Sequence, residues 1–341
     1  MEFQIIWFIL WAVLWAVYFM LDGFDLGVGI LHRYIGRNED ERGAILSSIG
    51  PVWDGNEVWL LTAGGATFAA FPTTYALMFS YLYTALLLIL FSLIVRGVSL
   101  ELRGKEESAT WRRNWGYALV TSSFLPALLF GVAFGNIFQG LPMDADGYHG
   151  NLLTLLNPYG LLTGIFFLFL FLMHGALWIG FRTKGYVSDQ ASRLANKIWY
   201  PLLLIAVAFL VMTKFATKLY LNFINTPIFF IVPLIAVAAL LTMKVCLAKQ
   251  SSIQAFAASC VTILMVTFTG VIGLFPSLIP SSIDPRYSLT IFNSSSSPYT
   301  LKIMTIVALI FVPIVIVYQS WNYIIFNKKI DHEDKKQGSK Y

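Results

Sequence analysis

The sequence Leu21-Asp22-Gly23-Phe24-Asp25-Leu26-Gly27-Val28-Gly29 ends the first long apolar segment of this chain, and Trp53-Asp54-Gly55-Asn56-Glu57-Val58-Trp59 begins the next one. Each stretch places two carboxylates inside or at the edge of an apolar run. A charged side chain at the centre of a lipid bilayer costs roughly 2.5–3.5 kcal/mol on insertion scales, so acids in such positions usually have a function and a partner. The two stretches therefore indicate a membrane-embedded fold and its candidate site.

Composition places the whole chain in the membrane class. Of its 341 residues, 57% are hydrophobic and 12% are charged, whereas a soluble domain carries about 25% charged residues. Apolar runs of about 20 residues, the length that crosses a hydrocarbon core, recur along the sequence. A nucleic-acid partner is excluded, because the net charge of +5 does not form a basic face on a soluble domain.

Nine apolar segments predict an all-α, polytopic membrane protein in which residues 1–341 form a single integral-membrane domain. Boundaries chosen in this way carry errors of about 2–4 residues. The second segment is the least regular, because its first half is polar. The predicted spans are Ile5–Leu31, Ile45–Phe71, Tyr75–Val95, Gly116–Phe138, Tyr159–Phe181, Ile198–Leu219, Ile228–Met243, Ile253–Phe275 and Leu301–Phe326.

The basic residues orient these spans. With nine crossings, 19 of the 23 Lys and Arg residues fall in five segments on one side of the membrane, which the positive-inside rule makes cytoplasmic. The N-terminus is then expected outside and the tail, 327–341, in the cytoplasm. Eight crossings would scatter the same charges over both sides. The segments carry Arg33, Arg37 and Arg42; Arg96, Arg103, Lys105, Arg112 and Arg113; Arg182, Lys184, Arg193 and Lys197; Lys244 and Lys249; and Lys328, Lys329, Lys335, Lys336 and Lys340.

A loose internal repeat predicts two related units of four helices. Phe19-Met20-Leu21-Asp22-Gly23 ends the first span, and Phe171-Leu172-Met173-His174-Gly175 ends the fifth. Both units begin on the same side of the membrane, so the repeat would be parallel, not inverted. Asp22 then corresponds to His174, and the second unit lacks the acid of the first. The repeat covers 1–140 and 155–275, and the last span, 301–326, is an additional helix.

The four acids form two pairs with helical spacing. Asp22 and Asp25 are three residues apart, as are Asp54 and Glu57, so each pair shares one helix face. Asp25 and Asp54 are the stronger candidates for a proton path, because a carboxyl group screened from bulk water can exchange protons near neutral pH. Asp22 and Glu57 fit a place among the headgroups at the helix ends equally well.

Several ordered motifs resemble subunit II of the bacterial cytochrome bd-type quinol oxidases. Together they are specific, although any one of them alone would not be. They cover the first four spans, and over the rest of the chain the length and the number of spans agree. The motifs are Asp22-Gly23-Phe24-Asp25-Leu26-Gly27-Val28-Gly29, Gly36-Arg37-Asn38, Trp53-Asp54-Gly55-Asn56-Glu57-Val58-Trp59-Leu60, Thr62-Ala63-Gly64-Gly65-Ala66, Gly131-Val132-Ala133-Phe134-Gly135-Asn136 and Gln139-Gly140.

The resemblance implies a partnership in the bacterial cell membrane. In this family a larger subunit I carries haem b, haem d and the quinol-oxidising loop, and the complex reduces dioxygen to water with electrons from quinol. Subunit II resembles subunit I in fold, binds no haem and packs against it. The complex can include a small third subunit as well as membrane lipid. The resemblance therefore implies that this chain has no catalytic residue of its own.

The residues agree with a subunit that binds no haem. Haem iron takes axial His, Met, Cys or Tyr ligands that face a cavity. Of the four His residues, His32 and His332 fall in cytoplasmic segments, His149 in an outer loop and His174 at a helix end. Isolated Met residues in apolar helices are typical of packing. We therefore expect no haem, other cofactor or metal on this chain.

The remaining polar and aromatic residues of the two opening stretches predict a contact with the partner. Trp53 and Trp59 flank the acids of the second stretch and are candidates for the subunit interface. Arg96 and Arg103 lie just beyond the third span, where a solvated cytoplasmic loop is the simplest interpretation.

A stand-alone proton or cation transporter is the alternative function. It would use Asp22, Asp25, Asp54 and Glu57 as its ion site. Transporters often interrupt helices at mid-membrane in corresponding positions of two halves, whereas the acids here occur in one half and near the cytoplasmic side. Copurification separates the two hypotheses, because an oxidase subunit brings a haem-rich partner and a transporter is a colourless polypeptide.

Overall fold

Long helices account for most of the chain, in the order that the apolar segments predict. The computed structural model describes residues 2–326 and 329–330; the other residues of the predicted tail, with His332, lie outside the described part. The helices are α1 (Glu2–Ile35), α2 (Glu39–Ser47), α3 (Trp53–Ala70), α4 (Pro72–Tyr81), α5 (Tyr83–Leu102), α6 (Ala109–Gln139), α7 (Pro158–Arg182), α8 (Gly185–Ala216), α9 (Tyr220–Asn225), α10 (Ile231–Ala248), α11 (Ser252–Leu274) and α12 (Pro298–Ile325).

Eight helices in the described part of the chain are long and apolar enough to cross a membrane: α1, α5, α6, α7, α8, α10 with its preceding turn, α11 and α12. This confirms the all-α, polytopic class. The second predicted span is divided into α2 and α3, and the polar start of α3 sets it apart from those eight. Even so, α3 runs antiparallel to α1, since Asn56 lies beside Leu21, and Trp11 donates to Thr67.

The third predicted span begins too early. Pro72 opens the separate ten-residue helix α4, and the crossing helix α5 starts only at Tyr83. The ring of Tyr81 stacks on Tyr148 with the centroids 5.0 Å apart, which holds α4 against the loop that follows α6. Hydropathy did not reveal the break, because the run through Leu82 contains no charged residue, Gly or Pro.

The helix ends gather at two ends of the bundle. At the end that we call the basic end, Arg103 pairs with Glu39, and the backbone N–H of Ile330 donates to the carbonyl oxygen of Arg182 over 2.8 Å. At the opposite end, Gln4 donates to Ser295 over 2.7 Å. That end also holds two short antiparallel hairpins, β1 (Met143–Asp144) with β2 (Gly147–Tyr148) and β3 (Ser277–Ile279) with β4 (Leu289–Thr290). Which end faces the cytoplasm stays a prediction.

Close contacts between small residues bring the central helices together. A Cβ on Gly27 of α1 would lie 2.9 Å from the Cα of Gly175 of α7, and one on Gly131 of α6 would lie 2.7 Å from the Cα of Gly164 of α7. Both approaches leave no room for a side chain. The small-residue spacings in these helices therefore serve helix packing, as membrane helices commonly use them.

The neighbours of the two predicted four-helix units correspond. In the first unit α1 packs on α3 and α6, and α5 packs on α6. In the second, α7 packs on α8 and α11, and α10 packs on α11. The last helix, α12, lies outside both sets and contacts α1 and α3. The two related units with an added helix remain a prediction. That prediction requires corresponding helices to have corresponding packing partners, as they do here.

Candidate functional site

Arg96 and Asp22 form a buried ion pair in the basic-end half of the bundle. Arg96 lies in α5, six residues before its end, and is 1% exposed, while Asp22 is fully buried in α1. Arg96 Nη1 donates to Asp22 Oδ2 over 3.0 Å, and Nη2 donates to Oδ1. Tyr18 donates to Oδ2 of Asp22 over 3.0 Å as well. The interpretation of Arg96 as a solvated loop residue was wrong, and Asp22 is shielded from solvent by this chain itself.

Glu57 joins the same arginine from α3. Its Oε1 lies 3.0 Å from Nη2 of Arg96, and its side chain is 25% exposed. Arg96 thus lies between two carboxylates, and the bidentate contact with Asp22 is the tighter one. Two ionised oxygens on one guanidinium fix the positions of α1, α3 and α5 relative to one another.

Asp25 lies one helical turn along α1 and has a different set of partners. It is 1% exposed, and Asn56 Nδ2 donates to its Oδ2 over 2.8 Å. Tyr323 of α12 in turn donates to Asn56 Oδ1 over 2.7 Å. Among the described residues none donates to Oδ1 of Asp25. This carboxyl group is therefore held by one neutral donor and not by a cation.

Asp54 stands apart from the other three acids. It is exposed in the first turn of α3, and its Oδ1 accepts the backbone N–H of Gly55 over 2.7 Å. The structure thus brings Asp22, Asp25 and Glu57 together and leaves Asp54 on the outer surface of the chain. Asp54 still belongs to the same helix turn as Glu57, so it can act at the rim of the cluster.

The two candidate interface tryptophans occupy different places. Trp59 is 7% exposed and donates to Gln319 of α12 over 2.7 Å, so α12 covers it within this chain. Trp53 is partly exposed and lies beside Gly97 of α5. Only Trp53 therefore presents an open edge beside the acids.

His174 is buried in the core and not at a helix end, and both of its ring nitrogens have partners. Nδ1 lies 2.6 Å from Ser259 Oγ, and Nε2 lies 2.8 Å from the carbonyl oxygen of Met20. His32 is also fully buried, with Nδ1 2.7 Å from the carbonyl oxygen of Gly29. Both ring nitrogens of His174 are thus engaged, whereas Nε2 of His32 is buried without a hydrogen-bond partner among the described residues. Among the described residues, no group of three or more His, Cys, Asp or Glu can hold a metal ion.

A second set of charged residues forms ion pairs at the basic end, outside the membrane-spanning segments. Asn38 caps α2 by accepting the N–H of Glu41 over 2.9 Å, and Arg42 pairs with Glu39 over 2.7 Å. Burial raises the pKa of Glu39, but hydrogen bonds from Arg42 and Arg103 outweigh it and bring that pKa below its usual value. Arg103 is 6% exposed, so it too is a packed residue and not a solvated one. These pairs fix α2 over the end of α1.

Three members of the cluster were not singled out from the sequence as site residues: Arg96, Asn56 and Tyr323. Arg96 could have been identified from its position directly after an apolar run, because an arginine there can lie in the last buried turn of a longer helix. Tyr323 has none, since an isolated tyrosine near the end of an apolar span is typical of the membrane interface.

Chemically, the arrangement can hold charge and exchange protons. Arg96 stabilises the ionised forms of Asp22 and Glu57, whereas Asp25 can change its charge without breaking an ion pair. Ionisable side chains buried among membrane helices pair with one another and mark ion pathways or proton relays.

Comparison with known proteins gives a consistent result over almost the whole chain. The family model described as cytochrome bd terminal oxidase subunit II matches residues 3–326. Cytochrome bd-I ubiquinol oxidase subunit 2 of Escherichia coli K12 is 36% identical over 97% of this chain and 96% of its own length. Cytochrome bd ubiquinol oxidase subunit 2 of Bacillus subtilis 168 is 36% identical over 96% of this chain and 97% of its own length. The solved bd oxidase of Geobacillus thermodenitrificans aligns with a TM-score of 0.79 at 16% identity over 96% of this chain and 100% of that one, which supports the fold.

Proposed function

Since this chain belongs to the family of cytochrome bd terminal oxidase subunit II, we propose that it is the haem-free subunit of a bd-type quinol oxidase and takes part in proton uptake from the cytoplasm. The complex would oxidise quinol and reduce dioxygen to water, a reaction that consumes protons at a buried site. The relatives named above are ubiquinol oxidase subunits, which supports quinol as the electron donor. Family membership also weighs against the stand-alone transporter.

The observation that carries this proposal is the buried carboxyl of Asp25 beside the ion pair of Asp22 and Arg96. Asp25 is 1% exposed and receives a single neutral hydrogen bond from Asn56. Its protonation can therefore change while Asp22 and Glu57 remain bound to Arg96. We assign proton transfer to Asp25 and a structural role to Asp22 and Glu57.

Asp54 fits an entry position at the rim. It is exposed on the face of α3 that also presents Val58, Leu61, Gly65 and Phe68, of which Leu61 is 73% exposed and Phe68 60%. A carboxylate on a face of this kind is costly against lipid. We propose that this face, with Trp53 beside it, contacts the haem-bearing subunit I, because a small residue such as Gly65 lets a second helix approach closely.

The haems of the complex belong on the partner in this proposal. Both nitrogens of His174 are engaged, and the Nδ1 of His32 faces a backbone carbonyl. A cofactor set of haem b and haem d would supply the electron transfer and the dioxygen chemistry. The residues of this chain would form the α3 face that contacts subunit I and would transfer protons toward that subunit.

The decisive experiment measures turnover per haem in the purified complex that carries Asp25→Asn or Asp54→Asn. The amide keeps the shape and some hydrogen bonds but cannot carry a proton, so we expect turnover per haem to fall severalfold or more, toward the roughly 10²-fold at which general acid–base effects begin. Haem content and assembly should stay near those of the unchanged complex.

Asp40→Asn is the matched control, because Asp40 is an exposed acid of α2, outside the cluster. That substitution should change neither turnover per haem nor proton uptake. Turnover per haem that is normal in both Asp25→Asn and Asp54→Asn would overturn the proposed proton path.

A further inference from the structure

The last helix, α12, is attached to the rest of the chain by polar side chains on one face of its basic-end half. Gln319 donates to the carbonyl oxygen of Gly55 over 2.8 Å, and Asn322 donates to that of Pro51 over 3.3 Å. Tyr323 donates to Asn56 over 2.7 Å. The spacing of 319, 322 and 323 puts all three on one side of the helix. All three of their partners belong to the start of α3 or to the turn before it.

The rest of α12 presents a largely open apolar surface. Leu309 is 71% exposed, Val317 is 69% exposed and Tyr318 is 61% exposed. Buried apolar contact therefore contributes little to the placement of this helix within the chain. In the other half of α12, Trp7 of α1 donates to Thr305 over 3.0 Å. The side chains at 319, 322 and 323 form a second, separate attachment in the basic-end half.

The neighbour of α12 at this second attachment is the first turn of α3, whose Asn56 donates to Asp25. The path runs from the Tyr323 hydroxyl to Asn56 Oδ1 and from Asn56 Nδ2 to Asp25 Oδ2 over 2.8 Å. An asparagine side chain can rotate, and the hydrogen bond from Tyr323 fixes which of its ends faces Asp25. With the oxygen occupied by the tyrosine, the NH₂ group is directed at the carboxyl.

Tyr323 also forms part of the wall of a cavity of about 350 Å³ between α1, α7, α11 and α12. Ser48 and Arg182 contribute polar groups to the same wall, and Pro51 and Phe326 lie at its basic end. A cavity of this size with polar groups can hold water. Tyr323 thus lies between this cavity and Asn56, the partner of Asp25.

We propose that α12 positions the proton-transferring carboxyl of Asp25, with Tyr323 and Asn56 as the positioning residues. This rests on the proposed function, since it assigns the residues that act through Asp25. Tyr323 sets the orientation of Asn56, and Asn56 directs its NH₂ group at the carboxyl of Asp25. The charged and titratable groups around Asp25 are Asp22 on α1, Glu57 on α3, Arg96 on α5 and Tyr323 on α12.

The test compares Tyr323→Phe with Tyr318→Phe in the assembled oxidase. The first substitution removes the hydroxyl that binds Asn56, and the second removes an exposed hydroxyl of the same helix. We expect Tyr323→Phe to lower turnover per haem by about two- to tenfold, the factor that one neutral hydrogen bond provides, and to shift the midpoint of the pH profile of turnover. Tyr318→Phe should leave both unchanged, and the KM for quinol should stay constant in each.

A double-mutant cycle with Asp25→Asn shows whether Tyr323 acts through Asp25. In the Asp25→Asn complex, the added Tyr323→Phe change should have no further effect on turnover per haem. The same loss in both backgrounds, or normal turnover and an unshifted pH profile in Tyr323→Phe alone, would overturn the inference. If Asp25→Asn itself turns over normally, the proposed proton path falls as well, whereas a slow Asp25→Asn with a normal Tyr323→Phe removes only the role of α12.

Discussion

At the residue scale, Arg96 divides the acids of the site into two kinds. Asp22 and Glu57 share its guanidinium, and Asp22 adds a hydrogen bond from Tyr18. The low dielectric of the interior strengthens this attraction, but it also raises the cost of leaving either partner alone. Asp25, which meets an amide instead, is free to change its charge. Neighbouring acids on one helix thus differ in their partners, which α3 and α5 supply.

The first residue-scale prediction concerns Asp22→Asn. The change leaves Arg96 without its bidentate partner, and breaking a buried pair in this way costs about 3–5 kcal/mol. We expect less haem-containing complex to be recovered from membranes, with the surviving fraction turning over at a rate near normal per haem. Absorbance of the purified complex and its yield per membrane protein measure both quantities. Asp40→Asn serves again as the control, and an undiminished yield for Asp22→Asn would contradict the structural role.

Sequence reasoning located the acids at this scale but not their partners. The spacing of Asp22 and Asp25 predicted a shared helix face, and both are buried in α1. Pairing with Arg96 depends on how α5 packs beside α1, which is a tertiary contact across 74 residues. No local pattern encodes a contact of that kind. The exposed position of Asp54 likewise depends on which side of α3 faces the bundle.

At the scale of elements, the close approach of α1 and α7 organises the bundle. A Cβ on Gly175 would lie 2.6 Å from the Cα of Gly27 and 2.6 Å from the backbone N of Val28. These are backbone atoms, which cannot rotate away as a flexible side chain can. The contact keeps α1 in place, and with it Asp22 and Asp25.

The element-scale prediction is that Gly175→Ala destabilises the complex. Overpacking of a tight contact costs about 1–3 kcal/mol, so the temperature at which the complex loses its haem absorbance should fall. Gly104→Ala is the control, since a Cβ there would meet no atom within 4 Å, and it should leave that temperature unchanged. If both variants lost their haem absorbance at the same temperature, the close contact between α1 and α7 would not contribute to the stability of the complex.

Hydropathy predicted the elements better than their limits. Seven of the nine predicted spans match single long helices, because about 20 apolar residues leave few alternatives in a membrane. The exceptions both involve breaks inside apolar or mixed runs, at 48–52 and at Leu82. Such breaks satisfy their backbone groups by local turns and tertiary contacts, as Leu82 does with the carbonyl oxygen of Met78. The break at 48–52 contains Gly50-Pro51, a dipeptide that marks turns, whereas no Gly or Pro marks the break at Leu82.

At the scale of the whole molecule, the bundle has one well-buried centre and several open faces. The central helix α7 is enclosed along most of its length, whereas α12 is exposed over nearly all of its apolar stretch. Open apolar faces are natural against lipid, so exposure alone does not identify a partner. The face of α3 is distinctive because it carries Asp54 together with small residues, which is why we assign it to subunit I.

The whole-molecule prediction concerns orientation. The turn between β1 and β2 and the loop between α5 and α6 lie at opposite ends of α6, a helix of 31 residues, or about 46 Å, against a hydrocarbon core of about 30 Å. Cysteines at the exposed positions Ala145 and Glu107 should therefore react differently with a membrane-impermeant maleimide. In intact cells Ala145→Cys should be labelled, and Glu107→Cys only after permeabilisation, because the loop of Glu107 belongs to the basic end.

The unchanged chain provides the background for that measurement, since Cys246 is buried and Cys260 is partly buried. The reverse pattern would place the basic end outside, against the positive-inside rule. The acid cluster would then lie near the outer surface, and proton uptake from the cytoplasm through Asp54 and Asp25 could not operate. Labelling of both positions in intact cells would mean that α6 does not cross the membrane.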